Sequence, residues 1–181
     1  MKKRIFLLFL CLILVVGGCS TQTNLTENAV NDLFSLLRQG RFTEASAYFL
    51  PGEDGASAEI ADTALNRALF AGIEADVWRA DKNEAELCIT QKSMHRVYAL
   101  AMEKTAGLAF STDTDKQLWA NAVAEALNET TETAVFVVTV PLSYETETVR
   151  LKMTNELRNA LFGGELDAIN AFDKIGENDH G

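Results

Sequence analysis

Apolar side chains recur every three to four residues between Asn24 and Gln39. Val30, Leu33, Phe34 and Leu37 form one face of an amphipathic helix there. Asn24 with Glu27 reads as its capping pair, and Gly40 as the residue that ends it. A second helix is predicted over about Thr43–Leu50, with Ala47, Tyr48 and Leu50 as packing residues and Pro51-Gly52 as its stop. A third runs from about Ser57 to Ala71, with Ile60, Ala64, Leu65, Ala68 and Leu69 inward and Gly72 beyond it.

The period then falls to two. Ile73, Ala75 and Val77 alternate with Glu74, Asp76 and Trp78. After the turn signal Asp81-Lys82-Asn83, Ala85, Leu87 and Ile89 alternate with Glu84, Glu86 and Cys88. This predicts a hairpin with one buried face. A long helix follows from Ser93 to about Phe110, its core side carrying Val97, Leu100, Ala101 and Leu108. Thr112–Asp115 interrupts it and caps the next helix, which carries Leu118, Trp119, Ala122, Val123, Ala126 and Leu127. Thr133–Ser143 is the most apolar strand. Ala134 to Val138 run without a polar break, the pattern of a strand covered on both faces. Tyr144–Thr146 turns, and Val149, Leu151 and Met153 mark a last strand. Thr154 caps a final helix to about Phe162, Gly163-Gly164 follows, and Glu165–Phe172 adds a further turn or two. Strand clusters separated by helix clusters predict an α+β fold with an antiparallel sheet of about four strands and a helical insertion between two hairpins. A chain of this size buries enough surface to need no disulfide staples.

The first residues obey a different logic. Lys2, Lys3 and Arg4 precede the apolar run Ile5–Val16, and Gly17 and Gly18 lead to Cys19. This is the layout of an export signal. Twelve apolar residues are too few for an ordinary membrane span, which needs about 20. Val16-Gly17-Gly18-Cys19 resembles the lipobox of bacterial lipoproteins. That resemblance implies cleavage after Gly18 and a diacylglycerol on the Cys19 sulfur. The small residues let a peptidase reach the backbone, and the thiol is the nucleophile that takes the lipid. The expected division is then a signal at 1–18, a lipidated Cys19 with a short polar tether at 19–24, one domain at 25–172 and a polar tail at 173–181. The expected location is a membrane, lipid-anchored, with the domain facing outside the cytoplasm.

Charge sharpens this picture. Three of the 16 Lys and Arg stand at positions 2–4, and no acid precedes Glu27. From Cys19 onward 13 Lys and Arg therefore face 26 Asp and Glu, a net of −13. Such a body repels phosphate backbones, so nucleic acid is not an expected partner. It also repels anionic lipid, so it needs a tether to stay at a membrane. Cys11 falls in the signal and Cys19 is the anchor, which leaves Cys88 without a disulfide partner. With one His in the domain and His180 in the tail, no His/Cys zinc site is expected. Asp113-Thr114-Asp115 lacks the Gly and the terminal acid of a calcium loop and reads as a cap with first-turn acid. No cofactor is implied.

The segment Phe34-Ser35-Leu36-Leu37-Arg38-Gln39-Gly40-Arg41-Phe42-Thr43-Glu44-Ala45 resembles the opening of nuclear transport factor 2-like domains. The strands Val135–Leu142 and Val149–Met153, then Asn155 to Gly164, resemble the close of uncharacterised lipoproteins of Gram-positive bacteria with that fold. The likeness spans roughly Asn24 to Ala171. It departs at Tyr144-Glu145-Thr146, where such chains carry a Gly turn and then a Trp. The resemblance implies a curved sheet wrapped around helices, with a pocket often open at the mouth of the cone. Fold alone does not fix function.

Two classes of function follow. A non-catalytic module would bind a small apolar ligand or an envelope protein, with Tyr48, Phe70, Trp78, Tyr98, Met102 and Trp119 as candidate pocket residues. Each of these also fits a core position at its helix or strand spacing. The alternative is a small enzyme of the ketosteroid isomerase or dehydratase type. Its candidates for proton transfer are Asp76, Tyr48, Tyr98 and His95. No catalytic residue is assigned from a motif. Asp76 alternates with apolar residues as a solvent-side position does, and His95 stands beside Arg96 in the first turn of a helix.

Overall fold

The computed structural model describes residues 23–51, 58–106, 112–145 and 148–170. The expected signal at 1–18, Cys19 and the expected tail at 173–181 lie outside them. The fold is α+β. Helix α1 (23–38) and α2 (Phe42–Ser46) lead to a two-residue strand, β1 (Phe49–Leu50). Helix α3 (Ala64–Phe70) precedes the hairpin β2 (Glu74–Ala80) and β3 (Glu84–Lys92). Helices α4 (Met94–Lys104) and α5 (Asp113–Glu129) pack on each other. They lead to β4 (Thr133–Glu145), β5 (Thr148–Lys152), α6 (Asn155–Leu161) and α7 (165–170).

The strands make one five-stranded sheet in the order β1-β5-β4-β3-β2. All neighbours are antiparallel except β1 with β5, where Phe49 stands beside Leu151 in a parallel pair. The hairpin register follows the period-two pattern. Ala75 pairs with Ile89 and Val77 with Leu87 on the inner face. A bulge between Val77 and Arg79 then shifts the register. The turn is held by Asp81, whose Oδ1 accepts from the amides of Asn83 at 2.7 Å and Glu84 at 3.1 Å.

The described helices pack on the inner face. Leu87, Ile89, Val140 and Leu151 meet α1, α2, α3, α4 and α6 in one buried core with Leu33, Phe34, Leu37, Phe42, Phe70, Val97 and Leu157. Phe42, Phe70 and Phe162 stack in sequence, with ring centroids 5.5 and 5.4 Å apart. Burying each such ring contributes about 1.5–3 kcal/mol. Buried Gln91 closes the sheet end. Its Nε2 donates to the Leu161 carbonyl at 3.0 Å, and its Oε1 accepts from the Lys92 amide at 2.8 Å. Tyr144 ties three elements together: its hydroxyl donates to the Asp81 carbonyl and meets Thr26 Oγ1, both at 2.9 Å.

Several expectations are corrected. The sheet has five strands rather than about four, because β1 joins it in parallel beside β5. The helix from Ser93 ends at Lys104 rather than near Phe110, and Tyr144 and Glu145 extend β4 instead of turning. The second helix ends at Ser46 rather than Leu50, because Phe49 and Leu50 are drawn into parallel pairing with β5. The third helix starts at Ala64 rather than near Ser57. Thr63 sets that start, its side chain accepting from the Asn66 amide. Ile60 is buried without helical backbone. Asn24 is no N-cap, since helical backbone already runs at residue 23. Finally, β4 is covered on one face, not two: Val135 is 62% and Val137 49% exposed. The predicted caps Ser93, Thr112 and Thr154 each accept a backbone amide at their helix start.

Candidate functional site

The residues considered for proton transfer do not converge. Asp76 faces outward from β2, in register with Cys88, on the side without helices. His95 is exposed in the first turn of α4. Tyr48 is half-buried between α2 and β1 and borders an open hollow of about 520 Å³ with Asp32, Gln39, Arg41 and Glu44. Tyr98 meets a second titratable side chain. From α4 its hydroxyl donates to Glu165 Oε1 of α7 at 2.9 Å. The Trp119 ring of α5 stands beside it, with centroids 6.0 Å apart.

Glu165 was not a sequence candidate. It lies 67 residues from its partner, and no periodicity links them. The double glycine before it is the local cue, since Gly163 and Gly164 both adopt positive φ and turn the chain from α6 into α7. Burial, then the charge and hydrogen bond of Glu165, hold the Tyr98 hydroxyl above the ordinary tyrosine range. The group is therefore a fixed proton donor at neutral pH. It cannot serve as a base there.

That shift sets a pH dependence. Unfolded, Tyr98 releases its proton near pH 10. Folded, it keeps the proton to higher pH, so its stabilisation is complete below pH 10 and falls as pH rises beyond that value. Tyr98→Phe is expected to cost about 1 kcal/mol at pH 8 through the lost hydrogen bond. The deficit against the native chain should shrink by pH 11, as read by urea unfolding at both values. A deficit that stays constant across that window would contradict the assignment.

The proposed pocket set is also dispersed. Phe70 is fully buried in the core, Trp78 is 60% exposed on the outer sheet face and Met102 is exposed on α4. A further hollow of about 440 Å³ is lined by Thr43, Ser46, Glu59, Ile60, Ala61 and Arg158 at the helix margins. The acids read as a cap behave as one. Thr112 and Asp115 form a reciprocal capping box, and Asp113 pairs with Lys116 at 3.1 Å. Among the described residues no three His, Cys, Asp or Glu side chains group as a metal site. Cys88 is half-buried on β3 as a free thiol.

Further ion pairs among the described residues lie at the surface: Arg41 with Glu44, Arg67 with Asp62 and Lys104 with Glu129 and Glu125. Such pairs contribute little to stability. No helix among the described residues is long and apolar enough to cross a membrane. The chain matches no family model, and no curated protein or solved structure is similar to it at a significant level.

Proposed function

We propose that the chain is a bacterial lipoprotein whose nuclear transport factor 2-like domain, held outside the cytoplasmic membrane by lipid on Cys19, binds a partner by surface contact. The anchoring half rests on the basic start, the short apolar run and Val16-Gly17-Gly18-Cys19. The α+β order with one five-stranded sheet agrees with that domain type. The observation that carries the binding half is where the apolar side chains go. Those facing inward, such as Phe34, Phe42, Phe70, Leu87 and Ile89, are packed to 2% exposure or less. Among the exposed ones, Val135 and Val137 stand side by side on the open face of β4 and Trp78 at the bulge of β2, and they are the most exposed of the set. Leu65, Met102, Leu118, Leu166 and Ile169 are spread over the helices. Contiguous exposed apolar surface marks contact with another molecule. For the isomerase-type reading, Asp76, Tyr48 and His95 stand apart from the Tyr98–Glu165 pair, in which the Tyr98 proton is already held by the carboxylate.

The reading is tested by adding protease to intact bacteria that make the full chain. The domain is expected to be digested while a cytoplasmic marker survives. Protection of both would overturn it.

A further inference from the structure

The sheet face turned away from the helices has a defined chemistry. Its register sets Val135 beside Thr90 and Val137 beside Cys88, with Glu74 and Asp76 completing the same rows on β2. Trp78 stands at the bulge. Below it, Arg79, Asp81, Glu84, Glu86 and Thr139 line a notch of about 130 Å³. Amides of the turn hold the Asp81 carboxyl below the usual carboxylate range, so it is charged. The face is thus an apolar strip flanked by carboxylates, with a small acidic notch at one end.

We propose that this face docks a protein surface that sets aliphatic or aromatic side chains among Lys and Arg, one of which enters the notch. The inference rests on the surface-contact reading above and names its site and partner chemistry. Charge complementarity selects the occupant. Glu74, Asp76, Asp81, Glu84 and Glu86 outnumber the cations of the same face, Arg79, Lys82 in the turn and Lys152 on β5, and Arg150 farther along the sheet faces Glu145 at 3.6 Å. Lys92, at the far end of β3, donates to the Leu127 carbonyl at 2.7 Å. A second copy laid on this face would bring two sets of these acids together, which like charge opposes. An anionic lipid surface is repelled for the same reason. Addition of a strand to the β2 edge is disfavoured by the bulge and by its acids. A cationic surface with an apolar centre satisfies both features at once, and exposed Trp78 is the type of residue that anchors such contacts.

The test installs a photoreactive benzophenone side chain at position Val137, and separately at Val135, in the full lipoprotein in intact cells. Exposed Ala124 on α5 serves as the control position. Illumination is expected to give one discrete adduct from both sheet positions and none from Ala124. Mass spectrometry should place the cross-link in a segment where Lys or Arg flanks apolar residues. Glu84→Lys with Glu86→Lys should lower the yield at least tenfold while leaving the melting temperature within a few degrees. An adduct between two copies, an adduct on an acidic segment, or no adduct would each overturn the proposal. If the adduct is missing while the domain stays anchored and open to protease, only the docking face falls. A domain protected from protease would bring down the reading beneath it.

Discussion

Gly163→Ala is expected to destabilise the domain by about 2–5 kcal/mol, the sum of a backbone penalty and a steric clash. Gly163 sits at φ +64 immediately after α6 and is buried. A left-handed backbone costs a side-chain-bearing residue roughly 1–2 kcal/mol. The larger effect is contact. A Cβ at this position would stand 2.0 Å from the Lys92 carbonyl oxygen, 3.2 Å from Met94 Cγ and 3.3 Å from Gln91 Cγ. The first is backbone and cannot rotate away. Relief would separate α6 from the end of β3, where the Met94 amide donates to the Gly163 carbonyl at 2.9 Å and Gln91 reaches Leu161. Gly40→Ala is the control. Its φ is +70, but its nearest neighbour is the flexible Arg67 side chain at 3.4 Å, so the backbone penalty stands nearly alone. Urea unfolding should show Gly163→Ala costing at least twice as much as Gly40→Ala. Equal losses would mean that the helix shifts freely and that the close approach is unimportant.

Gly163 also illustrates what one sequence conceals. Its neighbours belong to β3 and α4, and their approach depends on tertiary packing. Periodicity reports whether a segment has one buried side, and it served where the chain alternates cleanly. Ala85, Leu87 and Ile89 were separable from Glu84, Glu86 and Cys88 for that reason. Caps were legible because a Ser or Thr before an apolar run has a local task. β4 was misjudged because Ala134 to Val138 are all apolar, and an unbroken run cannot say which face meets helices. β1 was read as the end of a helix because two residues hold no period, and their partner Leu151 is about 100 positions away. A separation of 67 residues likewise hid Glu165 from Tyr98. The candidate site was therefore less legible than the fold. Its residue types were visible, but bringing them together required the folded chain, which scattered most of them. The outer face emerged from an expectation that failed, since Val135 and Val137 were expected to be covered.

Cys19→Ala is expected to remove the lipid and, with it, stable attachment of the domain to the membrane. The N-terminal segment has an apolar run of 12 residues, Ile5–Val16, and the chain from Cys19 onward carries a net charge of −13. Neither favours lasting residence on an anionic bilayer. Each buried methylene of an acyl chain contributes about 0.8 kcal/mol, and two chains anchor stably where one does not. A diacylglycerol thioether at Cys19 would therefore outweigh the repulsion of the acidic body, which salt screens anyway. The native chain should stay in the membrane fraction through a wash at high salt and should incorporate labelled fatty acid. The variant should lose the label. It should then appear as released domain or as unprocessed precursor still carrying residues 1–18, which mass spectrometry separates. Cys88→Ala is the matched control: that thiol lies on β3 inside the domain, so the label and the partitioning should be unchanged. Labelling that survives Cys19→Ala, or that is lost with Cys88→Ala, would move the anchor elsewhere. It would also remove the reason for confining the docking face to partners within tether length of the membrane.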